Sequence, residues 1–352
     1  MHSNVVVVGD EDSRFTVGVD IQNILDFEKD YPKAIVIRME QNYRATKNII
    51  EGASALVANN KARKGKWLWT ESGQGELIQL YDAPDSENEA LFIADTIEKL
   101  LRNEPKHRVA VLYRTNFQSR QIEEALRRYG RKYIVVGGLS FYGRAEVKDM
   151  LSYLKAVSAP NDSISLLRII NTPARGIGKT TVEQIEKHAL DHNLSVWSAL
   201  RGMLEDRIFS TRAESALSVF VRLIEDLNAH ASSRPVDQLL RLIVDRTGYM
   251  KMLEADPSPE AESRRGNVQE LLNAAADAAE RGESHTDFLD HAALVADADS
   301  VDSAAQVSLL TIHNAKGLEF PVVFLAGMEE GLFPHMRSLD AEAQMEEERR
   351  LC

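Results

Sequence analysis

Val307-Ser-Leu-Leu-Thr-Ile-His-Asn-Ala-Lys-Gly-Leu-Glu-Phe-Pro-Val-Val-Phe-Leu325 is the stretch that decides how this chain is read. Val307–Thr311 and Val322–Leu325 are apolar runs of strand length, the pattern of strands buried on both faces of a parallel sheet. The loop between them carries Thr311, His313, Lys316 and Glu319. Loops at the strand ends of an α/β sheet are where such folds place ligands. From the residues alone two readings stay open: a ligand loop, or an ordinary strand-to-helix connection capped by Thr311.

Working outward, the same alternation recurs towards the N-terminus. Val5–Val8, Ala34–Met39, Glu76–Tyr81, Arg108–Tyr113 and Tyr133–Val136 read as strands. Ile21–Phe27, Thr46–Asn59, Glu87–Leu101 and Ser119–Tyr129 have the apolar spacing of helices. Strands alternating with helices predict an α/β fold with a parallel sheet. From about Ala145 to Ala293 the pattern is nearly all helical, with loops at Asn171–Lys179 and Asp256–Glu262. Val295–Ala305 is acidic and small-residue, a predicted linker. The chain therefore reads as an α/β domain interrupted by a helical insertion.

Composition sets outer limits. The 352 residues suffice for about two domains. An apolar fraction of 44% with 27% charged residues is an ordinary globular balance. No apolar run approaches the roughly 18 residues of a membrane span, so no membrane partner is expected. The single cysteine, Cys352, points to a reducing, cytoplasmic setting. A net charge of −12 argues mildly against nucleic-acid binding. Binding needs only a local patch, however, and basic clusters occur at Lys61–Lys66 and at Arg127-Arg128. The chain begins inside an apolar run and ends within the helix-like Met345–Cys352, so a truncated piece is expected.

Thr311–Phe320, followed by Gly327-Met-Glu-Glu-Gly-Leu-Phe-Pro334, closely resembles motif V of the UvrD/Rep/PcrA helicases of superfamily 1. Further matches follow the family's order. Glu40-Gln41-Asn42-Tyr43-Arg44 resembles motif IV, and Ala110–Asn116 resembles motif IVa. Gly137-Gly138-Leu-Ser-Phe141, with Arg144, Glu146 and Asp149, resembles the next block, and Glu346–Leu351 the opening of motif VI. The resemblance implies a RecA-like parallel-sheet motor domain, called 2A, interrupted by an all-helical domain, called 2B. It places the first part of 2A at residues 1–155, 2B at 156–296 and the rest of 2A at 297–352.

The resemblance also implies roles. Tyr43 would stack on adenine, and Arg44 would reach the γ-phosphate as the catalytic arginine; a flat aromatic face and a forked guanidinium suit those tasks. Glu319 would accept a hydrogen bond from the ribose. Thr311, His313, Arg114, Thr115 and Asn116 would contact single-stranded DNA through its backbone, which positions the strand without reading sequence. In Asn171–Thr181, Gly178-Lys179-Thr180 imitates the end of a phosphate-binding P-loop. Proline stands at 173, where that motif needs glycine. The better fit is Gly176-Ile177-Gly178 with Lys179 as a turn and helix start facing a phosphate of duplex DNA, as in the family's 2B domain; a plain helix connection is the alternative.

The chain departs from the family in three places. It carries no Walker A loop and no Asp-Glu Walker B motif, which the family places in a preceding domain, 1A. Ser13–Val19 stands where the motif III glutamine, tyrosine and DNA-stacking aromatic are expected. Motif VI stops before its second arginine. The implied protein is an ATP-dependent 3′–5′ DNA helicase, using ATP with Mg²⁺, acting at a single-strand/duplex junction and completed by a 1A/1B half. This chain supplies no metal ligands and is expected to hydrolyse no ATP alone. The alternative is a non-catalytic DNA-binding or regulatory module acting through 2B.

Overall fold

The computed structural model describes residues 27, 29–61, 67–298 and 305–352. The expected strand Val5–Val8, the altered segment Ser13–Val19, most of the Ile21–Phe27 helix and most of the Lys61–Lys66 cluster lie outside them. In chain order the helices and strands are α1 (Lys47–Val57), α2 (Ser86–Asn103), β1 (Val109–Tyr113), α3 (Ser119–Arg128) and β2 (Tyr133–Val135). Then come α4 (Ala145–Ser158), α5 (Ser163–Ile169), α6 (Lys179–Asp191), α7 (Val196–Glu205) and α8 (Thr211–Ala231). After them lie α9 (Val236–Thr247), α10 (Tyr249–Glu254), α11 (Pro259–Glu280) and α12 (His285–Ala298). The chain closes with β3 (Val307–Thr311), β4 (Val322–Leu325) and α13 (Glu342–Leu351). Two compact units result: described residues up to Gly137 together with those from 305 onward, and those from Gly138 to 298.

The first unit is built on a four-stranded sheet in the order β2-β3-β1-β4, parallel throughout. The strand that closes the chain's long excursion, β3, lies between β1 and β2. Its register sets Val109 against Val307 and Tyr113 against Thr311. The two inner strands are almost wholly buried, as continuous apolar runs demand. The edge strand β4 alternates, leaving Val323 and Leu325 exposed. Helices α2 and α3 bury Ile93, Ile97, Leu101, Ile122 and Leu126 in the same core as Val111 and Leu309. Each such side chain contributes roughly 1.5–3 kcal/mol on burial.

Two expected strands do not form. Ala34–Met39 and Glu76–Tyr81 have the right side chains but no ladder partner among the described residues. Ile35, Ile37, Leu77 and Leu80 are exposed. An apolar run supplies only the packing half of a strand; the other half is a neighbouring backbone to bond. In this stretch the one exception is an isolated bridge between Gln41 and Trp69.

The second unit is all-helical, from α4 to α12. Asp162, Ser195, Ser210 and Ser258 each stop the preceding loop and accept a backbone N–H of the helix they begin. The core joins Tyr153 and Leu154 of α4, Leu166 and Ile169 of α5, Phe220 of α8 and Leu271 of α11. Helix α4, which the expected boundary at 155 divides, packs within this core along its length. The last helix continues to Ala298, past the expected linker start at Val295, because Val295-Ala-Asp-Ala298 extends its small and apolar pattern.

The Arg144, Glu146 and Asp149 block is a polar network inside this unit. Arg144 Nη1 donates to Asn267 Oδ1 at 2.8 Å, and Asn267 Nδ2 donates to Glu146. Asp149 accepts from Arg168 Nε and from the Tyr249 hydroxyl, each at 2.7 Å. Burial and the Asp149 carboxylate push the Tyr249 hydroxyl up, so it remains a donor.

Candidate functional site

The Tyr43-Arg44 pair is presented by a turn that Asn42 builds. The Asn42 side-chain oxygen accepts the backbone N–H of Arg44 at 2.9 Å and of Ala45 at 2.8 Å. An asparagine that bonds the backbone two residues on is a turn-former. Asn42 is itself anchored by its N–H to the Trp69 carbonyl at 2.7 Å. The turn leads into α1 and leaves Tyr43 81% exposed. The Arg44 guanidinium meets Glu319 with Nε–Oε1 at 2.6 Å, across 275 positions of sequence. Both side chains are more than half exposed. An ion pair so wetted is worth no more than about 1 kcal/mol, so a competing anion can open it.

A second group gathers at the ends of β1 and β3. Since Tyr113 pairs with Thr311, the segments Arg114–Asn116 and Ile312–Asn314 leave the sheet side by side. Thr311 caps a short 3₁₀ turn by accepting the Asn314 N–H at 3.3 Å. Thr115 is held by Gln118, whose side-chain oxygen accepts both its N–H and its hydroxyl at 2.9 Å. Asn116 begins the 3₁₀ turn that follows. Burial, then the positive charge of Arg114, hold His313 below the usual histidine range, and Glu348 opposes them. The ring is therefore neutral near pH 7.

Arg114 forms a forked ion pair with Glu348 of α13, with Nη2–Oε1 at 2.9 Å and Nε–Oε2 at 3.1 Å. The same carboxylate accepts the His335 N–H at 3.1 Å. The opposite face of α13 bonds elsewhere: Glu346 Oε1 accepts the Lys61 N–H at 2.6 Å, and Arg349 donates to Asn60 at 3.1 Å.

Gly176, Ile177, Gly178 and Lys179 lie in the helical unit. Gly176 has φ of +77°, a conformation that favours glycine. Ile177 is buried and anchors the turn. Arg175 braces the loop from inside: Nη1 donates to the carbonyls of Ile169 at 3.0 Å and Pro173 at 3.1 Å, and Nη2 to the Tyr153 hydroxyl. Asn171 Oδ1 accepts the Arg175 N–H at 2.8 Å and the Ile177 N–H at 3.3 Å. Gly178 opens α6 with no side-chain cap, and the Lys179 side chain is 90% exposed, 3.5 Å from Glu183.

The structure thus brings Arg44 together with Glu319, and residues 114–116 together with 311–313. Asn42, Gln118 and Glu348 were not singled out from sequence. Thr115-Asn-Phe-Gln118 carries a legible signal, since Thr-x-x-Gln is the spacing of a capping box. Glu348 carries none: its partner lies 234 positions away. Among the described residues no group of three or more His, Cys, Asp or Glu could hold a metal ion, and no helix is long and apolar enough to cross a membrane.

Comparison with known proteins gives one consistent picture. Residues 37–352 match the family model of the UvrD-like helicase C-terminal domain. The chain is 45% identical to the ATP-dependent DNA helicase PcrA of Bacillus subtilis (strain 168), over 99% of this chain and 49% of that protein. It is 43% identical to the protein of the same name from Staphylococcus aureus (strain MRSA252), with the same coverage. The chain spans about half the length of the curated relatives it matches.

Proposed function

Because this chain belongs to the UvrD-like helicase C-terminal domain family, we propose that it forms the second half of an ATP-dependent 3′–5′ DNA helicase. On this reading the sheet unit is motor domain 2A and the helical unit is 2B. The observation that carries the proposal is the meeting of Arg44 with Glu319 beside an exposed Tyr43 ring. These residues fit a nucleotide: an aromatic face for the base, a carboxylate for a ribose hydroxyl and a guanidinium for a phosphate. ATP supplies the energy of the cycle when bound between this unit and a 1A/1B half. The described residues gather no carboxylate cluster that would hold Mg²⁺.

The strand-end group would form part of the single-strand path. His313 is neutral at working pH and acts there as a hydrogen-bonding group rather than a charge. In the helical unit, Gly176–Lys179 would meet a duplex phosphate, with N–H groups at the start of α6 as donors.

The test is ATP turnover in the presence of single-stranded DNA. The chain alone is expected to show none. Joined to the N-terminal half of a relative such as the B. subtilis protein, it is expected to turn over ATP, and Arg44→Ala to abolish that. DNA-stimulated turnover by the chain alone, lost in Arg44→Ala, overturns the proposal. A joined protein that binds DNA but never turns over favours a non-catalytic module, to which the braced loop at Arg175 is already suited.

A further inference from the structure

We propose that Glu348 is a positioning residue for single-strand contact, fixing the Arg114 guanidinium so that its remaining N–H edge meets a DNA phosphate. This rests on the reading of Arg114–Asn116 as part of the DNA path.

The geometry is specific. Glu348 uses both oxygens on the Nε and Nη2 side of Arg114, at 2.9–3.3 Å. Its Oε2 also takes the His335 N–H at 3.1 Å, and the Ser338 hydroxyl lies 3.5 Å from Oε1. The Glu348 side chain is 7% exposed and that of Arg114 is 22% exposed. Nη1 of Arg114 has no acceptor among the described residues, so one edge of the fork stays available. Arg114 directly follows the Tyr113–Thr311 pair at the end of β1, where the expected strand contacts gather.

Electrostatics alone would not place a carboxylate here. A negative charge beside the arginine weakens the long-range pull on a polyanion. A buried ion pair is also weak grounds for stability by itself. What the pair does provide is orientation: a guanidinium gripped along one edge presents the other in a fixed plane. Positioning and long-range electrostatics predict opposite signs for the loss of the Glu348 charge.

The experiment is fluorescence anisotropy of the whole chain with labelled oligo-dT, comparing wild type, Glu348→Gln, Arg114→Ala and the double variant. Positioning predicts that E348Q weakens affinity by about tenfold, although it removes a negative charge. That shift corresponds to about 1.4 kcal/mol. In the Arg114→Ala background the same change should have no further effect. Tighter or unchanged binding by E348Q, or an equal loss in both backgrounds, overturns the proposal. Should E348Q fail to fold, Arg114→Lys decides, since lysine keeps the charge and lacks the fork. Weaker binding with an unchanged salt slope supports positioning, and unchanged affinity overturns it. A wild-type chain that does not bind refutes the DNA-path reading instead. Exchange of the Arg114 Nε–H, slow in wild type and fast in E348Q, would then still report whether Glu348 fixes the guanidinium.

Discussion

Replacing Gly327 with alanine tests how tightly the strand-end group is built. Gly327 follows β4 with φ of +68°, and an added Cβ would fall 2.0 Å from Gln118 Nε2. The left-handed backbone costs a non-glycine residue about 1–2 kcal/mol. Gln118 is flexible and can move aside, but moving withdraws its oxygen from both the N–H and the hydroxyl of Thr115. Losing such a cap costs about 1–2 kcal/mol more. The expected total is about 2–4 kcal/mol in the sheet unit. The probe is native-state hydrogen exchange at the amides of Val111 and Leu309, which sit opposite each other in the central ladder. Their exchange should quicken by about 30- to 1,000-fold where it follows unfolding of the unit. In a Gln118→Ala background only the backbone cost of about 1–2 kcal/mol should remain. Exchange altered by less than about threefold, or a loss indifferent to residue 118, would refute the reasoning.

Two further outcomes are expected. Asp149→Ala strands the buried Tyr249 hydroxyl and removes the Arg168 ion pair, at a cost of about 2–4 kcal/mol to the helical unit. Urea unfolding followed through Trp197, which packs in that core, should show the lower midpoint, and an unchanged midpoint would count against the network. His313 titrates below its unfolded value in the folded chain, so the unfolded state takes up the proton first. Its contribution to stability is thus complete above about pH 6.5 and declines as pH falls below that. Asn in place of His313 should flatten the wild-type loss below about pH 6.5. An identical acid-side loss in both proteins would show that His313 carries none of it.

The sheet strands that were legible in sequence are those whose partners the fold supplies. Val307–Thr311 and Arg108–Tyr113 are mainly apolar runs, and each is bonded on both sides. Ala34–Met39 reads just as strongly, yet pairing is a property of the neighbour and no run of side chains reports it. The site divides the same way. Motif-bearing residues such as Arg44 and Glu319 could be named, but their direct 2.6 Å contact spans 275 positions and has no local signature. Asn42 and Gln118 act on residues two or three away, so turn and capping chemistry could have found them. Arg144, Glu146 and Asp149 were readable as a motif. The structure shows them tying one helix to Arg168, Tyr249 and Asn267 on its neighbours, and a buried polar network is as good a reason for such a pattern as a ligand.

The position of α13 explains how two groups of different chemistry can be held in one frame. Glu348 reaches Arg114 at the strand ends, while Glu346 and Arg349 bond Lys61 and Asn60 beyond the end of α1. Residues 346 and 348 lie about 200° apart around a helix, so a single helix necessarily serves opposite sides. The helix that begins just after Tyr43-Arg44 and the strand that ends just before Arg114 are therefore braced by one element within one unit. On the proposed reading, the first group meets nucleotide and the second meets DNA. A shift of α1 by even one ångström must then be absorbed by α13 or passed to the Arg114 carboxylate partner. A close-packed interior transmits such a shift more readily than it absorbs it. If that continuity matters, Asn60→Ala, which touches neither proposed ligand, should alter how strongly nucleotide changes single-strand affinity in the joined protein while leaving nucleotide-free affinity intact. Equal coupling in wild type and Asn60→Ala would show that the brace holds the fold and carries nothing between the two groups.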